Sequence, residues 1–184
     1  MNNKLKEYIK ADMYRYFGES KIPLKTKLFM PLEIKYLIAF RKTQFCTNKI
    51  IKLFYKLKLR RLSHKTMIQI PSSTKIGKGF YIGHCGRIII NPNAVLGENI
   101  NIATGVTIGG TYRGEKQGTP NIGNKVWIGT NAVIVGKITI GDDVLIAPNA
   151  YVNFDVPSHS IVIGNPGKIH FRNNATEGYI NKTV

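Results

Sequence analysis

The chain has 184 residues, of which 43% are hydrophobic, and a formal net charge of +17, which suits one domain with a core and an additional segment. Two cysteines, Cys46 and Cys85, are too few for a disulfide framework, and the charged N-terminus lacks the pattern of a signal peptide, so we expect a cytoplasmic protein. The longest apolar-rich stretch, residues 28–40, is shorter than the roughly 20 residues of a membrane-spanning helix and includes Glu33 and Lys35, which argues against a crossing segment there.

Most of the positive charge lies in the first 68 residues. They contain seventeen Lys and Arg against four acids, a net charge of +13, whereas residues 69–184 contain ten against six, a net charge of +4. The density of apolar residues predicts short helices over residues 4–17 and 32–40, with Pro23 and Pro31 as breaks. We therefore predict a basic α-helical segment over residues 1–68.

Residues 49–62 are predicted to form an amphipathic helix. Its cations Lys49, Lys52, Lys56 and Arg60 lie on one stripe, and apolar residues spread over the other side: Ile50, Ile51, Phe54, Leu57 and Leu62. Two interpretations stay open: the helix packs on the rest of the chain, or it holds the protein on an anionic membrane surface, at the inner face of the membrane. Nucleic acid fits less well, because no aromatic platform or known DNA-reading motif accompanies the cations.

From Ile70 onward a branched aliphatic residue recurs every six positions, and the count slips only twice. The residues on this count are Ile70, Ile76, Ile82, Ile90, Leu96, Ile102, Ile108, Ile122, Ile128, Ile134, Ile140, Ile146 and Val152. Such a repeat is typical of a parallel β-helix, in which three units close one coil and neighbouring coils stack about 4.8 Å apart. We predict an all-β solenoid over residues 69–169 and a C-terminal tail over residues 170–184.

The repeat is interrupted at two places, where we expect loops with functional residues. One interruption precedes Ile90, eight residues after Ile82 instead of six; the other follows Ile108 and predicts a projecting loop over residues 110–118. His84 lies in the first interruption between Gly83 and Gly86, and an imidazole can accept and return a proton near neutral pH. His84 is therefore the candidate catalytic residue.

The stacking of the coils predicts which residues of later coils lie beside this interruption. Units three apart share a face of the prism, so we expect His84, Thr104 and Thr130 to line up along its axis. A long, thin ligand could then run along this edge.

These residues resemble the hexapeptide-repeat acyltransferases, in particular their serine acetyltransferase-like branch. The resemblance covers about residues 69–169. It is carried by the turn at residues 83–86 with the strand that follows, and by the segments 106–110, 126–130 and 164–168. It implies a left-handed coil, and a direct transfer in which His84 takes the proton of an acceptor hydroxyl as the oxygen attacks the acetyl-CoA thioester.

The same resemblance implies further site residues and an assembly. The backbone N–H of Gly109 is the candidate oxyanion donor. The candidate contacts of acetyl-CoA are Gly110, Trp127, Gly129, Thr130, Ala147 and Lys168. No metal is implied, and the family's trimers predict a homotrimer with active sites between subunits.

The chain departs from the serine acetyltransferase pattern at several positions. Gly83 stands where those enzymes have an acid before the histidine, Gln69 where they have a supporting acid, Gly118 where they have the arginine expected to hold the serine carboxylate, and Thr119 where they have a second histidine. Phe154 replaces a lysine found in sugar-acetylating relatives.

From these departures we predict a sugar hydroxyl of a polysaccharide or lipid-linked oligosaccharide as the acceptor. Its candidate contacts are Arg87, Asn91, Tyr112 and Arg113.

Three alternatives stay open. Serine O-acetyltransferase is the nearest, and a non-enzymatic solenoid at a membrane surface is another. A γ-class carbonic anhydrase winds the same solenoid but needs three histidines on one zinc, and the coils offer only His84.

Overall fold

The computed structural model describes residues 3–19 and 29–184, so that Pro23, predicted as a break, lies outside the described residues. Helix α1 spans Asn3–Phe17, α2 spans Leu32–Phe45 and α3 spans Lys49–Thr66. Helix α2 extends beyond the predicted residues 32–40, because the polar residues Arg41 and Thr43, which end the apolar pattern, are buried too. Within the described residues, no helix is long and apolar enough to cross a bilayer.

The remaining chain forms fifteen short strands. They are β1 (Ile68–Gln69), β2 (Lys75–Ile76), β3 (Tyr81–Ile82), β4 (Ile88–Ile90), β5 (Val95–Leu96), β6 (Asn101–Ile102), β7 (Thr107–Gly109), β8 (Asn121–Ile122), β9 (Val126–Ile128), β10 (Val133–Val135), β11 (Thr139–Ile140), β12 (Val144–Ile146), β13 (Tyr151–Val152), β14 (Ser160–Ile163) and β15 (Lys168–Phe171). They form three sheets: sheet I (β1-β4-β7-β10-β13), sheet II (β2-β5-β8-β11) and sheet III (β3-β6-β9-β12-β14-β15). The predicted parallel β-solenoid with an N-terminal helical segment is confirmed.

Inward aliphatic side chains stack from coil to coil and form the core. In sheet III, Ile82, Ile102, Ile128 and Ile146 pair in register, and each is at most 1% exposed. Burying one such side chain contributes about 1.5–3 kcal/mol, so a single hexad is weak but the ladder is stable.

The helices are joined to the first coil by a buried ion pair. Arg41 of α2 donates from Nε to Asp12 Oδ2 of α1 at 2.7 Å, and both side chains are at most 1% exposed. The Arg41 guanidinium also donates to the backbone carbonyls of Ile76 and Gly77 at 2.8 and 2.6 Å. This pair fixes α1 and α2 against the end of the solenoid.

The segment after the last coil folds back on sheet III. Strand β15 pairs antiparallel with β14. Further along, the buried carboxylate of Asp143 accepts hydrogen bonds from the backbone N–H of Ala175 and from the hydroxyl of Thr176, at 3.0 and 2.6 Å. The ring of Tyr179 then packs on that of Trp127 with 4.7 Å between centroids. Residues 170–184 are thus part of the folded body.

Candidate functional site

His84 lies at the corner where the chain passes from sheet III to sheet I, which we call the III–I corner. Gly83 donates its N–H to the carbonyl of Ile102 at 3.2 Å, and Gly86 donates its N–H to the carbonyl of Thr66 at 2.8 Å. His84 and Cys85 are the two extra residues between these anchors. The side chain of His84 is exposed.

The register of β6 and β9 aligns Thr104 with Thr130 as expected, but the expectation that His84 joins them is wrong. Ile89 pairs with Thr107, and by that register Gly86 lies over Thr104. The ladder resumes at Gly86, so the two inserted residues are pushed out of the stack. His84 therefore projects from the corner instead of lying in the column.

A carboxylate that was not predicted as a site residue lies beside this turn. Cys85 donates its thiol hydrogen to Glu33 Oε2, with 3.4 Å between sulfur and oxygen. Burial and the neighbouring Glu33 raise the pKa of Cys85 to about 11, so this cysteine is a neutral thiol near pH 7. Cys85 is thus unsuited to be a nucleophile next to His84.

The second interruption lies at the corner between sheets I and II, the I–II corner. Gly109 ends strand β7, and Gly110 begins the projecting loop. Thr111 and Gly118 exchange two backbone hydrogen bonds of 2.9 Å, which close the loop into a hairpin. Tyr112 and Arg113 lie exposed at its tip.

A cleft of about 960 Å³ lies between α3 and sheet I, and we call it the α3 cleft. Four of the predicted acceptor and loop residues line it from the solenoid: Arg87, Asn91, Gly110 and Tyr112, together with Gly109. Lys56, Arg60 and His64 line it from α3, and no Asp or Glu is among its lining residues. The absence of an opposing carboxylate makes the α3 cleft suited to an anionic group.

The predicted cofactor contacts lie mostly elsewhere. Trp127 and Ala147 line a smaller cavity of about 280 Å³ under the tail, the tail pocket, whose wall includes Tyr179. Gly129 and Thr130 lie at the III–I corner after β9, and a Cβ on Gly129 would come within 2.6 Å of the backbone nitrogen of Pro148. Lys168 is exposed at the start of β15. Trp127 is half-buried, because Tyr179 of the tail packs on its ring.

One protomer does not bring all these groups together. Gly86 and Asn91 mark the two corners on one coil, and the five residue steps from one to the other span about 16 Å of extended chain. His84 at the III–I corner is therefore about one sheet width from Gly109 at the I–II corner. Within residues 3–19 and 29–184, no three His, Cys, Asp or Glu side chains cluster as a metal site.

Comparison with known proteins shows which proteins the chain resembles. The model of the "Bacterial transferase hexapeptide (six repeats)" family matches residues 119–153. A serine acetyltransferase of Helicobacter pylori is 38% identical over 103 residues, which are 56% of this chain and 60% of that protein. Serine acetyltransferase 4 of Arabidopsis thaliana is 39% identical over 109 residues, which are 59% of this chain and 31% of that protein. The chain thus spans less than two thirds of either relative.

Among solved structures, a Neisseria gonorrhoeae serine acetyltransferase in complex with serine superposes with a TM-score of 0.76 at 28% identity. The match covers 92% of this chain and 70% of that one. In sequence and in fold the chain is thus similar to the hexapeptide-repeat acyltransferases.

The finer prediction of the acceptor is wrong. We expected a polysaccharide or lipid-linked sugar acceptor because several serine acetyltransferase residues are replaced, but these relatives are serine acetyltransferases. Replaced side chains alone therefore do not exclude a substrate.

Proposed function

We propose that this chain is an acetyl-CoA-dependent serine O-acetyltransferase. The observation that carries the proposal is the likeness, over 92% of the chain, to a serine acetyltransferase in complex with serine. The exposed imidazole of His84 in a glycine-flanked turn supplies the general base that this reaction needs.

In the proposed reaction, His84 accepts the proton of the serine hydroxyl while the oxygen attacks the carbonyl carbon of acetyl-CoA. A carbon–oxygen bond forms, and the tetrahedral intermediate then breaks its carbon–sulfur bond. The imidazolium returns the proton to the departing sulfur, which leaves as the CoA thiol. Because Cys85 is a neutral thiol, we assign a direct transfer without an acetyl-cysteine.

For the oxyanion we favour the N–H of Gly110 over that of Gly109. Asn91, one coil before Gly109 at the same ladder position, donates its N–H to the carbonyl of Ile108 at 2.8 Å. By the same ladder geometry we expect the Gly109 N–H to point towards the carbonyl of Ile134. Gly110 follows the strand, and its amide is the better candidate to stabilise the developing charge.

Arg87 is the group that we assign to the serine carboxylate. It follows His84 by three residues and lines the α3 cleft, which contains no acid. A guanidinium binds a carboxylate through two parallel hydrogen bonds, which would also orient the hydroxyl towards the base. Arg87 would thereby replace the arginine that the family has where this chain has Gly118.

We also propose that the active unit is a homotrimer. The III–I corner carries His84 and the I–II corner carries Gly110, and one sheet width separates them within a protomer. A neighbouring protomer that brings its I–II corner to the III–I corner of the first would complete the site.

The test is acetyl transfer by the full chain. The protein is incubated with acetyl-CoA and L-serine, CoA release is followed with a thiol reagent, and O-acetylserine is identified by mass spectrometry. His84→Ala should lower kcat by about 10²–10⁴-fold, whereas His170→Ala, at an exposed histidine of β15, should not. A folded, trimeric protein that forms no O-acetylserine, or a His84→Ala variant with full activity, would refute the proposal.

A further inference from the structure

Helix α3 carries an apolar face that does not belong to the core. Ile50, Leu53, Phe54 and Leu57 are 81%, 58%, 62% and 59% exposed. Their spacing of three and four residues puts them on one face of the helix. We call these four residues the α3 apolar face.

The opposite side of α3 makes the contacts with the rest of the chain. Leu59, Leu62 and Thr66 are buried there, and the carbonyl of Thr66 accepts a hydrogen bond from the backbone N–H of Gly86 at 2.8 Å. The helix is therefore anchored by its second half, and its packing leaves the α3 apolar face directed to solvent. An exposed apolar surface of this kind marks an interaction site.

The charge of α3 indicates what binds there. The helix has no Asp or Glu and carries seven cations: Lys49, Lys52, Lys56, Lys58, Arg60, Arg61 and Lys65. None of the seven forms a salt bridge within residues 3–19 and 29–184. Arg61 and Lys65 continue the line of the α3 apolar face towards the end of the helix, because they follow Leu57 by four and eight residues.

These two properties select among the candidate partners. A symmetric contact between two α3 helices is disfavoured, because the seven cations of one helix would face the seven cations of the other and repel them. Nucleic acid would neutralise the cations but would leave the apolar side chains in water. An anionic membrane satisfies both properties, because acyl chains take up the apolar side chains and headgroup phosphates pair with the cations.

We propose that α3 docks this protein on anionic phospholipid membranes. Ile50, Leu53, Phe54 and Leu57 enter the boundary between headgroups and acyl chains, and Arg61 and Lys65 contact the headgroups. The proposal does not depend on the acceptor of the acetyl group, because the residues of the α3 apolar face do not line the α3 cleft.

The experiment is cosedimentation of the full chain with two kinds of vesicle. One is phosphatidylcholine alone and the other is phosphatidylcholine with phosphatidylglycerol. We expect binding to the anionic vesicles at low salt and its loss as ionic strength rises. Binding to neither vesicle overturns the proposal.

Matched variants distinguish vesicle binding through the α3 apolar face from nonspecific hydrophobic binding. Phe54→Gln should lower the vesicle partition coefficient about tenfold, and Phe54→Gln with Leu57→Gln should lower it further. Phe171→Gln removes another exposed phenylalanine, 72% exposed on β15, and should leave binding unchanged. Equal effects of Phe54→Gln and Phe171→Gln would contradict docking through α3.

A second pair of variants tests whether vesicle binding depends on the charges of α3 or on the net charge of the protein. Arg61→Gln with Lys65→Gln should weaken binding about fivefold for each charge removed. Lys75→Gln with Lys137→Gln removes the same charge from exposed positions on the solenoid and should have a much smaller effect.

The competing partners give different results with the same proteins. If α3 mediates self-association, sedimentation velocity without vesicles will show Phe54→Gln changing the oligomeric state. If it binds nucleic acid, a DNA duplex will be bound with a loss in the Arg61→Gln and Lys65→Gln variant and none in Phe54→Gln. Either pattern, with vesicle binding unaffected by Phe54→Gln, overturns the lipid assignment. Far-UV circular dichroism and serine acetylation without vesicles verify that each variant is folded.

Discussion

Gly86 lies directly over Thr104 of the next coil, so closely that a Cβ on Gly86 would come within 2.0 Å of Thr104 Oγ1. The φ of Gly86 is +145°, a conformation that L side chains rarely adopt. Gly83, on the other side of His84, is different: a Cβ there would first meet Tyr81 at 3.7 Å, an ordinary contact. The position of the candidate base is thus set by one of its two flanking glycines.

We expect Gly86→Ala to lower the free energy of unfolding by about 1–3 kcal/mol, because it combines backbone strain with a steric clash. It should also lower acetyl transfer, since the turn that carries His84 must shift. Gly83→Ala is the matched control and should stay near wild type in both. Urea unfolding and the rate of CoA release measure the two effects, and equal losses in both variants would show that Gly86 has no special role.

Arg87 gives a prediction about substrate binding. Arg87→Gln should raise KM for serine by at least about tenfold while leaving KM for acetyl-CoA nearly unchanged, because it removes a bidentate carboxylate contact. Arg113→Gln removes an exposed cation from the projecting loop and serves as the control. A larger rise in KM for acetyl-CoA than for serine would place Arg87 on the donor side instead.

The thiol of Cys85 should react slowly with alkylating reagents at neutral pH. Because burial and Glu33 raise its pKa to about 11, roughly one molecule in ten thousand carries the thiolate at pH 7. In a Cys46→Ser background, alkylation by iodoacetamide should be slow at pH 7. Glu33→Gln should speed it, but only in part, since the larger cause, burial, remains. Cys85→Ser should keep acetyl transfer, and an acetylated Cys85 found by mass spectrometry would contradict the direct mechanism.

The sequence predicts the solenoid well because every hexad buries an aliphatic side chain at the same position. One inward aliphatic side chain per unit is enough to predict the register of Ile82, Ile102, Ile128 and Ile146, which the structure confirms. The displacement of His84 from its column was not predictable by counting. A two-residue insertion can be taken up before or after His84, and the close approach of Gly86 to Thr104 shows that the insertion includes His84.

The periodicity of the sequence also does not predict contacts between distant segments. The pattern of α3 does not predict that Leu62 is buried while Phe54 faces solvent, because the helical wheel puts both residues in one apolar group. Glu33 comes to the His84 turn from a helix more than fifty residues earlier. Such pairs depend on how the helices sit on the coil.

Asp143 gives the tail a dependence on acid. Burial alone would raise the pKa of its carboxyl, but hydrogen bonds from Thr176, His159 and Lys125 hold it well below the ordinary 3.8. A carboxyl whose pKa is lower in the folded state stabilises the fold fully above its unfolded pKa, and this stabilisation is lost as the pH falls towards the folded value. We therefore expect the tail to loosen below about pH 4.

The loosening can be measured by limited proteolysis of the tail and by urea unfolding across this pH range. Asp143→Asn should weaken the tail at neutral pH and flatten the acid dependence, because no carboxyl is left to titrate there. Asp142→Asn, at the exposed neighbouring position, is the control and should preserve the dependence. An Asp143→Asn variant that still loses stability as steeply below pH 4 would assign the effect to other carboxyls.

The buried pair of Arg41 and Asp12 is predicted to behave as a unit. Arg41→Met should cost about 3–5 kcal/mol, because it leaves the Asp12 carboxylate buried without its cationic partner, although the backbone N–H of Phe80 still donates to it at 2.9 Å. Arg41→Met combined with Asp12→Leu should cost clearly less than the two single changes added together, since no uncompensated charge remains. Some loss should persist even so, because the carbonyls of Ile76 and Gly77 lose their donor in both variants. Urea unfolding of the four proteins in this cycle gives the coupling, and additive single changes would show that the two side chains act independently.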